Sequence, residues 1–195
     1  MPATAELLGD RQRILVTGGA GFIGGALVRR LLADTEALVF NLDKLGYASD
    51  LASIEMLPQA AERHQLLQVD LTNAEATVAA VQQADPDLVL HLAAESHVDR
   101  SIEGPAAFVD SNITGTFNLL QAVRVHWEQL PGKRQEQFRF HHISTDEVFG
   151  SLGATGRFSE TTPYDPRSPY SASKAASDHL VNAWHHTYGL PVVLT

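Results

Sequence analysis

Tyr170 and Lys174 lie four residues apart in SPYSASKAASDHL, a spacing that puts both side chains on one face of a helix. A free phenol, with a pKa near 10, is a poor base at neutral pH. A neighbouring ammonium favours the phenolate, and lowering the phenol by about 3 units takes ~4 kcal/mol of differential interaction. The pair therefore carries the parts for taking a proton from a hydroxyl, although the same spacing in an arbitrary helix is more often an exposed pair. A second group, Ser144, Thr145, Asp146 and Glu147 in ISTDEVFG, sets two adjacent carboxylates after two hydroxyls at the end of an apolar run. A soluble turn can be made with one acid, so the adjacent pair asks for an explanation that depends on what else lies near that strand end.

A third group is TGGAGFIGG, in which Gly18, Gly21 and Gly24 give the spacing GxxGxxG. Glycines at these points allow a tight turn, close approach of backbone to a pyrophosphate, and packing of a helix on a strand. The positive end of that helix then faces the phosphates. Asp43 follows Gly24 by 19 residues, close to the ~20 expected of an acid on the adenosine ribose. An acid there repels a 2′-phosphate, so NAD is expected over NADP, with Lys44 next door weakening the preference. Asp70 reads equally as a cofactor contact and as a loop acid or helix cap. Ala93 and Ala94 in HLAAES are small enough to admit a cofactor to the backbone.

Elements that hold these groups alternate along the chain. Arg13–Thr17, Ala37–Leu42, Leu66–Val69, Leu88–Leu92 and Phe138–Ile143 read as strands, and Leu190–Leu194 starts a sixth. Phe22, Ile23, Leu27, Val28, Leu31 and Leu32 repeat at helical spacing. Asn73 is an N-cap candidate, a long helix is expected from about Pro105 to Trp127, and Pro169 suits the first turn of a helix running to about Tyr188. Continuous apolar strands separated by helices predict an α/β fold: a doubly wound parallel sheet covered on both faces, the Rossmann fold. Adjacent strand residues face opposite ways, so Asp146 and Glu147 can serve one substrate only if the chain leaves the extended form at Thr145.

The 195 residues suit one domain. A net charge of -9 argues against a nucleic-acid partner, and the absence of cysteine removes disulfides, thiolate metal sites and a cysteine nucleophile. MPATAELLGDRQR has no apolar signal-peptide core and no run approaches the ~20 apolar residues of a membrane span, so a cytoplasmic, soluble protein is expected. Of the histidine pairs, His141 and His142 face opposite sides of a strand and His185 and His186 lie on a helix, so no metal site is expected. His97, Asp99 and Arg100 read first as loop structure.

NLDKLGYAS, LAAESHVDRSI, STDEVFG and YSASKAASDHLV, together with the glycine loop, resemble the short-chain dehydrogenase/reductase superfamily in its extended, nucleotide-sugar-modifying branch. Within that branch they look like the dTDP-glucose 4,6-dehydratase family from about Arg13 to Thr195. The adjacent acids carry the distinction, since epimerases of the branch usually lack them. The resemblance implies NAD held by Gly18, Gly21, Phe22, Ile23, Gly24, Asp43, Lys44, Leu45, Asp70, Leu71, Leu92, Ala93, Ala94, Ser111, Tyr170 and Lys174. For Ser111 a plain helix-surface hydroxyl is nearly as good a reading. It implies Tyr170 as base at the C4 hydroxyl of dTDP-glucose, Asp146 as acid at C6, Glu147 as base at C5, and Thr145 and Ser96 as substrate contacts. It also implies a homodimer built on the two long helices. Residues 1–195 would be the NAD-binding domain carrying the catalytic residues, ending where a C-terminal substrate domain is expected; the loop from Gly150 to Tyr164 is short for the family. A nucleotide-sugar epimerase or reductase, or a non-catalytic NAD-binding module, are the other readings.

Overall fold

The computed structural model describes residues 12–195; residues 1–11, on which the signal-peptide reading falls, lie outside the described residues. Six strands form one parallel sheet: β1 Arg13–Thr17, β2 Leu38–Asp43, β3 His64–Gln68, β4 Leu88–His91, β5 Arg139–His142 and β6 Val192–Leu194. Their order, β3-β2-β1-β4-β5-β6, reverses direction between β1 and β4, and such sheets bind ligands in the crevice beyond that point. The expected strands are recovered within two residues at either end. Leu92 and Ile143 still pair beyond the last ladder residue, through Leu92 N–H to Thr17 O at 3.1 Å and Ile143 N–H to His91 O at 3.2 Å.

The helices are α1 Phe22–Asp34, α2 Ala52–Glu55, α3 Ala60–Arg63, α4 Ala74–Ala84, α5 Val98–Glu103, α6 Pro105–Phe108, α7 Gly115–Gln129, α8 Gly132–Gln137 and α9 Pro169–Tyr188. Asn73 caps α4 by accepting from Ala76 N–H at 3.0 Å. Around α9, Ser168 and Ser171 form a reciprocal capping box, Pro169 opens the first turn, and Gly189 ends it in the left-handed conformation. Four-residue α2 and α3 and six-residue α5 and α8 are too short for a periodic signal.

One expectation needs correction. The single helix from Pro105 to Trp127 is interrupted, because Val109–Thr114 takes the wider π geometry between α6 and α7. Gly115 lies so near Leu71 that an added Cβ would come within 3.1 Å of the Leu71 Cβ, and Asn112, inside the wide turn, is held by Glu95 and Ser173. A one-residue expansion of this kind re-aims side chains without ending the helix.

Strand alternation divides the core into two layers. Leu15, Phe40, Leu42, Val89 and Phe140 pack with α4, α7 and α9. Ile14, Val16, Val39 and Leu90 pack with α1, α2 and α3 on the other face. On that second face, His141 and Val193 of β5 and β6 stay partly exposed.

Candidate active site

The carboxyl ends of β1, β2 and β4 open onto a cleft of about 380 Å³. Its floor is the glycine loop. Gly18 has φ +71, and a Cβ there would stand 2.8 Å from the Ala93 backbone; a Cβ on Gly24 would collide with Gly18 O. Only glycine satisfies both positions. Gly21 is the N-cap residue of α1, and Phe22 and Ile23 open its first turn at the mouth, Phe22 almost wholly exposed. The unpaired N–H groups of that turn suit an anion.

Asp43, at the end of β2, is buried on the cleft wall. Its Oδ2 accepts from Ala20 N–H at 3.0 Å, and its Oδ1 from Leu45 N–H at 2.8 Å and Ser49 Oγ at 3.2 Å. A carboxylate has about four acceptor positions, so Oδ2 keeps one for a ligand hydroxyl. Lys44 is engaged elsewhere, donating to Glu95 Oε1 at 2.9 Å. Leu45 is absent from the cleft wall and instead turns the loop in a left-handed conformation, φ 60. Asp70 lines the cleft and also accepts from Thr72 N–H and Oγ1 through Oδ1, the loop-acid reading of it. Leu71, Leu92, Ala93, Ala94, Ser96 and Ser111 also line the wall, Ser111 from within the π segment.

Tyr170 and Lys174 on α9 close the far end of the cleft, both nearly buried. The expected effect of Lys174 on the phenol is not what sets its pKa here. Lys174 Nζ donates to Ile143 O at 2.8 Å, and burial draws the ammonium down to about 8 against the pull of Asp178. Burial also pushes the Tyr170 phenol up; the nearby Thr145 hydroxyl works against this, while the Glu147 and Asp146 carboxylates add to it. The sequence spacing reported proximity on a helix but not the desolvation of both groups.

After Ser144 the chain turns. Thr145 is still extended, and Asp146–Phe149 forms a 3-10 turn whose Glu147 N–H donates to Thr145 Oγ1 at 3.3 Å. The chain leaves the extended form at Asp146, one residue later than expected, because Thr145 stays extended as the N-cap whose hydroxyl accepts from Glu147 N–H. Asp146 is exposed and Glu147 half-buried, beside the cleft and not on its wall.

Several residues near the site carried no signal in the sequence reading. Asp178, one turn beyond Lys174, is wholly buried and accepts from Ser144 Oγ at 2.5 Å and Tyr164 OH at 2.9 Å. His142 Nε2 lies 3.1 Å from Asp178 Oδ1 but out of line for a hydrogen bond. Burial works to raise Asp178, yet His142, Ser144 and Tyr164 outweigh it and hold the carboxyl below its ordinary value. Burial keeps His142 and His91 low, His91 far below its ordinary value. His91 bridges Thr17 Oγ1 at 2.7 Å and Thr116 Oγ1 at 2.9 Å. Asn112 exchanges hydrogen bonds with both backbone groups of Glu95 and donates to Ser173 on α9, tying the β4 exit to the Tyr170 helix. The repeat Tyr170, Lys174, Asp178, polar at every fourth position of a buried face, was the available clue. Among the described residues no group of three or more His, Asp or Glu is placed to hold a metal ion, and no helix is long and apolar enough to cross a membrane.

The family model described as GDP-mannose 4,6 dehydratase matches residues 15–195. The chain belongs to that family. A family member named dTDP-glucose 4,6-dehydratase, from Neisseria meningitidis serogroup B, is 55% identical over 187 residues, covering 94% of this chain and 52% of the relative. The crystal structure of a Streptomyces venezuelae dTDP-glucose 4,6-dehydratase with NAD and TYD bound superposes with a TM-score of 0.80 at 40% identity, covering 93% of this chain and 54% of that one. A Thermus thermophilus UDP-glucose 4-epimerase in complex with NAD gives 0.79 at 34% identity, covering 93% and 53%. The chain spans about half the length of the curated relatives it matches. The resemblance read from the sequence, to 4,6-dehydratases and to their doubly wound fold, stands.

Proposed function

We propose that this chain is the NAD-binding, catalytic-residue-bearing domain of a dTDP-glucose 4,6-dehydratase, a hydro-lyase of deoxysugar biosynthesis. The observation that carries the reading is the Thr145-capped turn, which places Asp146 and Glu147 together at the exit of β5, beside the cleft that Tyr170 and Lys174 line. An epimerase on the same scaffold has no use for that acid pair.

The cleft fits a dinucleotide in its side chains as well as its shape: a backbone cradle at Gly18 and Gly24 that a Cβ would fill, an open helix N-terminus, and one acceptor position left on Asp43. Gly21 to Gly24 hold the pyrophosphate, Asp43 a ribose hydroxyl, and Ser111, Tyr170 and Lys174 the nicotinamide end. Bound there, NAD supplies a hydride acceptor that later serves as donor, together with a unit of positive charge that favours the Tyr170 phenolate.

Tyr170 takes the proton of the C4 hydroxyl, assisted by Lys174, while Thr145 hydrogen-bonds the C4 oxygen. The C4 ketone acidifies the hydrogen at C5, and Glu147 removes it. Asp146, protonated when it acts, gives its proton to the departing C6 oxygen, so water leaves across C5–C6 and the overall reaction is redox-neutral. Ser96 contacts the substrate. The mechanism asks Asp146 and Glu147 to differ in protonation, as general acid and general base must.

The same reading includes a cytoplasmic location and a homodimer. Phe117 on α7 packs edge-on against Trp184 of α9, Trp184 against Tyr188, and Arg124 lies over Tyr188. Phe117 and Tyr188 remain about 40% exposed, an aromatic patch across the two helices that supports pairing. Titration with NAD and NADP tests the cofactor assignment: NAD binding with a clear preference over NADP supports it, and equal or absent binding rejects it.

A further inference from the structure

The order of the strands gives two exposed contacts an unexpected position. β2 and β4 flank β1, so anything joining the β2 exit to the β4 exit must pass over the glycine loop that follows β1. Two contacts do so. Lys44 Nζ reaches Glu95 Oε1 at 2.9 Å, and the Arg100 guanidinium lies 3.8 Å from the centre of the Tyr47 ring. Lys44, Tyr47 and Glu95 all line the cleft.

The posts of this bridge are rigid, whereas its span is not. On the β2 side, Leu45 N–H and Ser49 Oγ donate to Asp43, and Asp50 N–H donates to Ala20 O at 2.7 Å. On the β4 side, Glu95 is fixed through both backbone groups by buried Asn112. The contacts between the posts are side-chain only: Lys44 is 40% exposed, Glu95 20% and Tyr47 65%. Such contacts break and reform without moving the sheet.

We propose that Lys44–Glu95 and Tyr47–Arg100 form a strap over the dinucleotide cleft that sets how fast the dinucleotide leaves. The proposal rests on the NAD reading above. It gives these residues a purpose that reading lacks: a reaction whose cofactor is reduced and reoxidised within one turnover needs it kept in place between the two halves. Glu95, Tyr47 and Arg100 act by holding the cover, without part in proton transfer, and Lys44 is withdrawn from any 2′-phosphate while it holds Glu95.

The test loads the chain with NADH, adds excess NAD, and follows the loss of bound-NADH fluorescence by stopped flow. Parent, Glu95→Gln, Tyr47→Ala and the double variant are compared, with circular dichroism verifying that each is folded. Release should quicken up to about fivefold in Glu95→Gln, the upper range for a part-exposed ion pair. It should quicken by about two- to fivefold in Tyr47→Ala, as for an exposed cation–π contact, and multiplicatively in the double variant. Association should not slow in any of them. Raising salt from low ionic strength to about 0.5 M should quicken release from the parent and leave Glu95→Gln nearly unchanged, because screening removes only the ion pair. Release rates equal to the parent's in both single variants, or weaker binding that arises wholly from slower association, overturn the strap. A parent that binds no NADH overturns the cofactor reading and the strap with it.

Discussion

Lys174→Met should change the way stability depends on pH, by an amount the structure sets. Lys174 is 5% exposed, so its ammonium has little solvent to screen it. Burial takes it from 10.5 to about 8, and at 1.36 kcal/mol per unit this is a cost of about 3 kcal/mol to the folded chain while the side chain is charged in both states. The sign follows from proton counts. Between pH 8 and 10.5 the unfolded chain keeps the proton that the folded chain has lost, so stability rises with pH across that window. Tyr170 and Tyr164 are pushed up by burial and work in the opposite direction above pH 10, but they are present in both proteins and cancel in the comparison. Loss of the donor to Ile143 O in the variant adds an offset that does not vary with pH. Urea unfolding of dinucleotide-free parent and Lys174→Met at pH 7 and 10.5 measures the difference. Parent stability relative to the variant should rise by about 3 kcal/mol between the two. A flat difference would mean that Lys174 is solvated, and would refute the picture of an ammonium kept at a cost for its chemistry.

Asp178→Asn should destabilise the chain by about 2 kcal/mol in urea melts at pH 7, because Ser144 and Tyr164 lose a charged acceptor; since the Asp178 carboxyl is held low, that contribution is present above pH 3.8 and fades as pH falls through its folded value. Asp43→Asn should weaken the preference for NAD over NADP in paired titrations, through loss of the charge that repels a 2′-phosphate; an unchanged preference rejects Asp43 as the discriminating acid. Phe117→Asp should convert the proposed dimer to monomer in sedimentation, with the parent dimeric at micromolar concentration; a monomeric parent removes the dimer.

The parts of the site legible in the sequence are those whose geometry is local. Gly18, Gly21 and Gly24 announce a strand–turn–helix within one stretch, and Asp43 follows at a distance set by one helix and one strand. Tyr170 and Lys174 needed only a helix. What escaped depends on neighbours far along the chain. The π turn answers to Leu71 and to Glu95, the Lys44–Glu95 pair spans 51 positions, and Asp178 meets Ser144 across 34. The upward shift of Tyr170 was missed for a different reason: spacing measures proximity to Lys174, whereas desolvation by the surrounding core decides the direction.

The central claim is that Tyr170 and Lys174 serve the C4 step while Glu147 serves the C5 step. It is tested most directly by joining this chain to the remaining half of the Neisseria meningitidis relative and comparing the parent chimera with Glu147→Gln in a single turnover of dTDP-glucose. The parent chimera should form the 4-keto-6-deoxy sugar. In Glu147→Gln, reduced-nicotinamide absorbance should appear at the parent rate and persist, with elimination slowed by about 10²–10⁴-fold, the usual loss on removing a general base. Elimination at the parent rate in Glu147→Gln would make the acid pair structural and contradict the account.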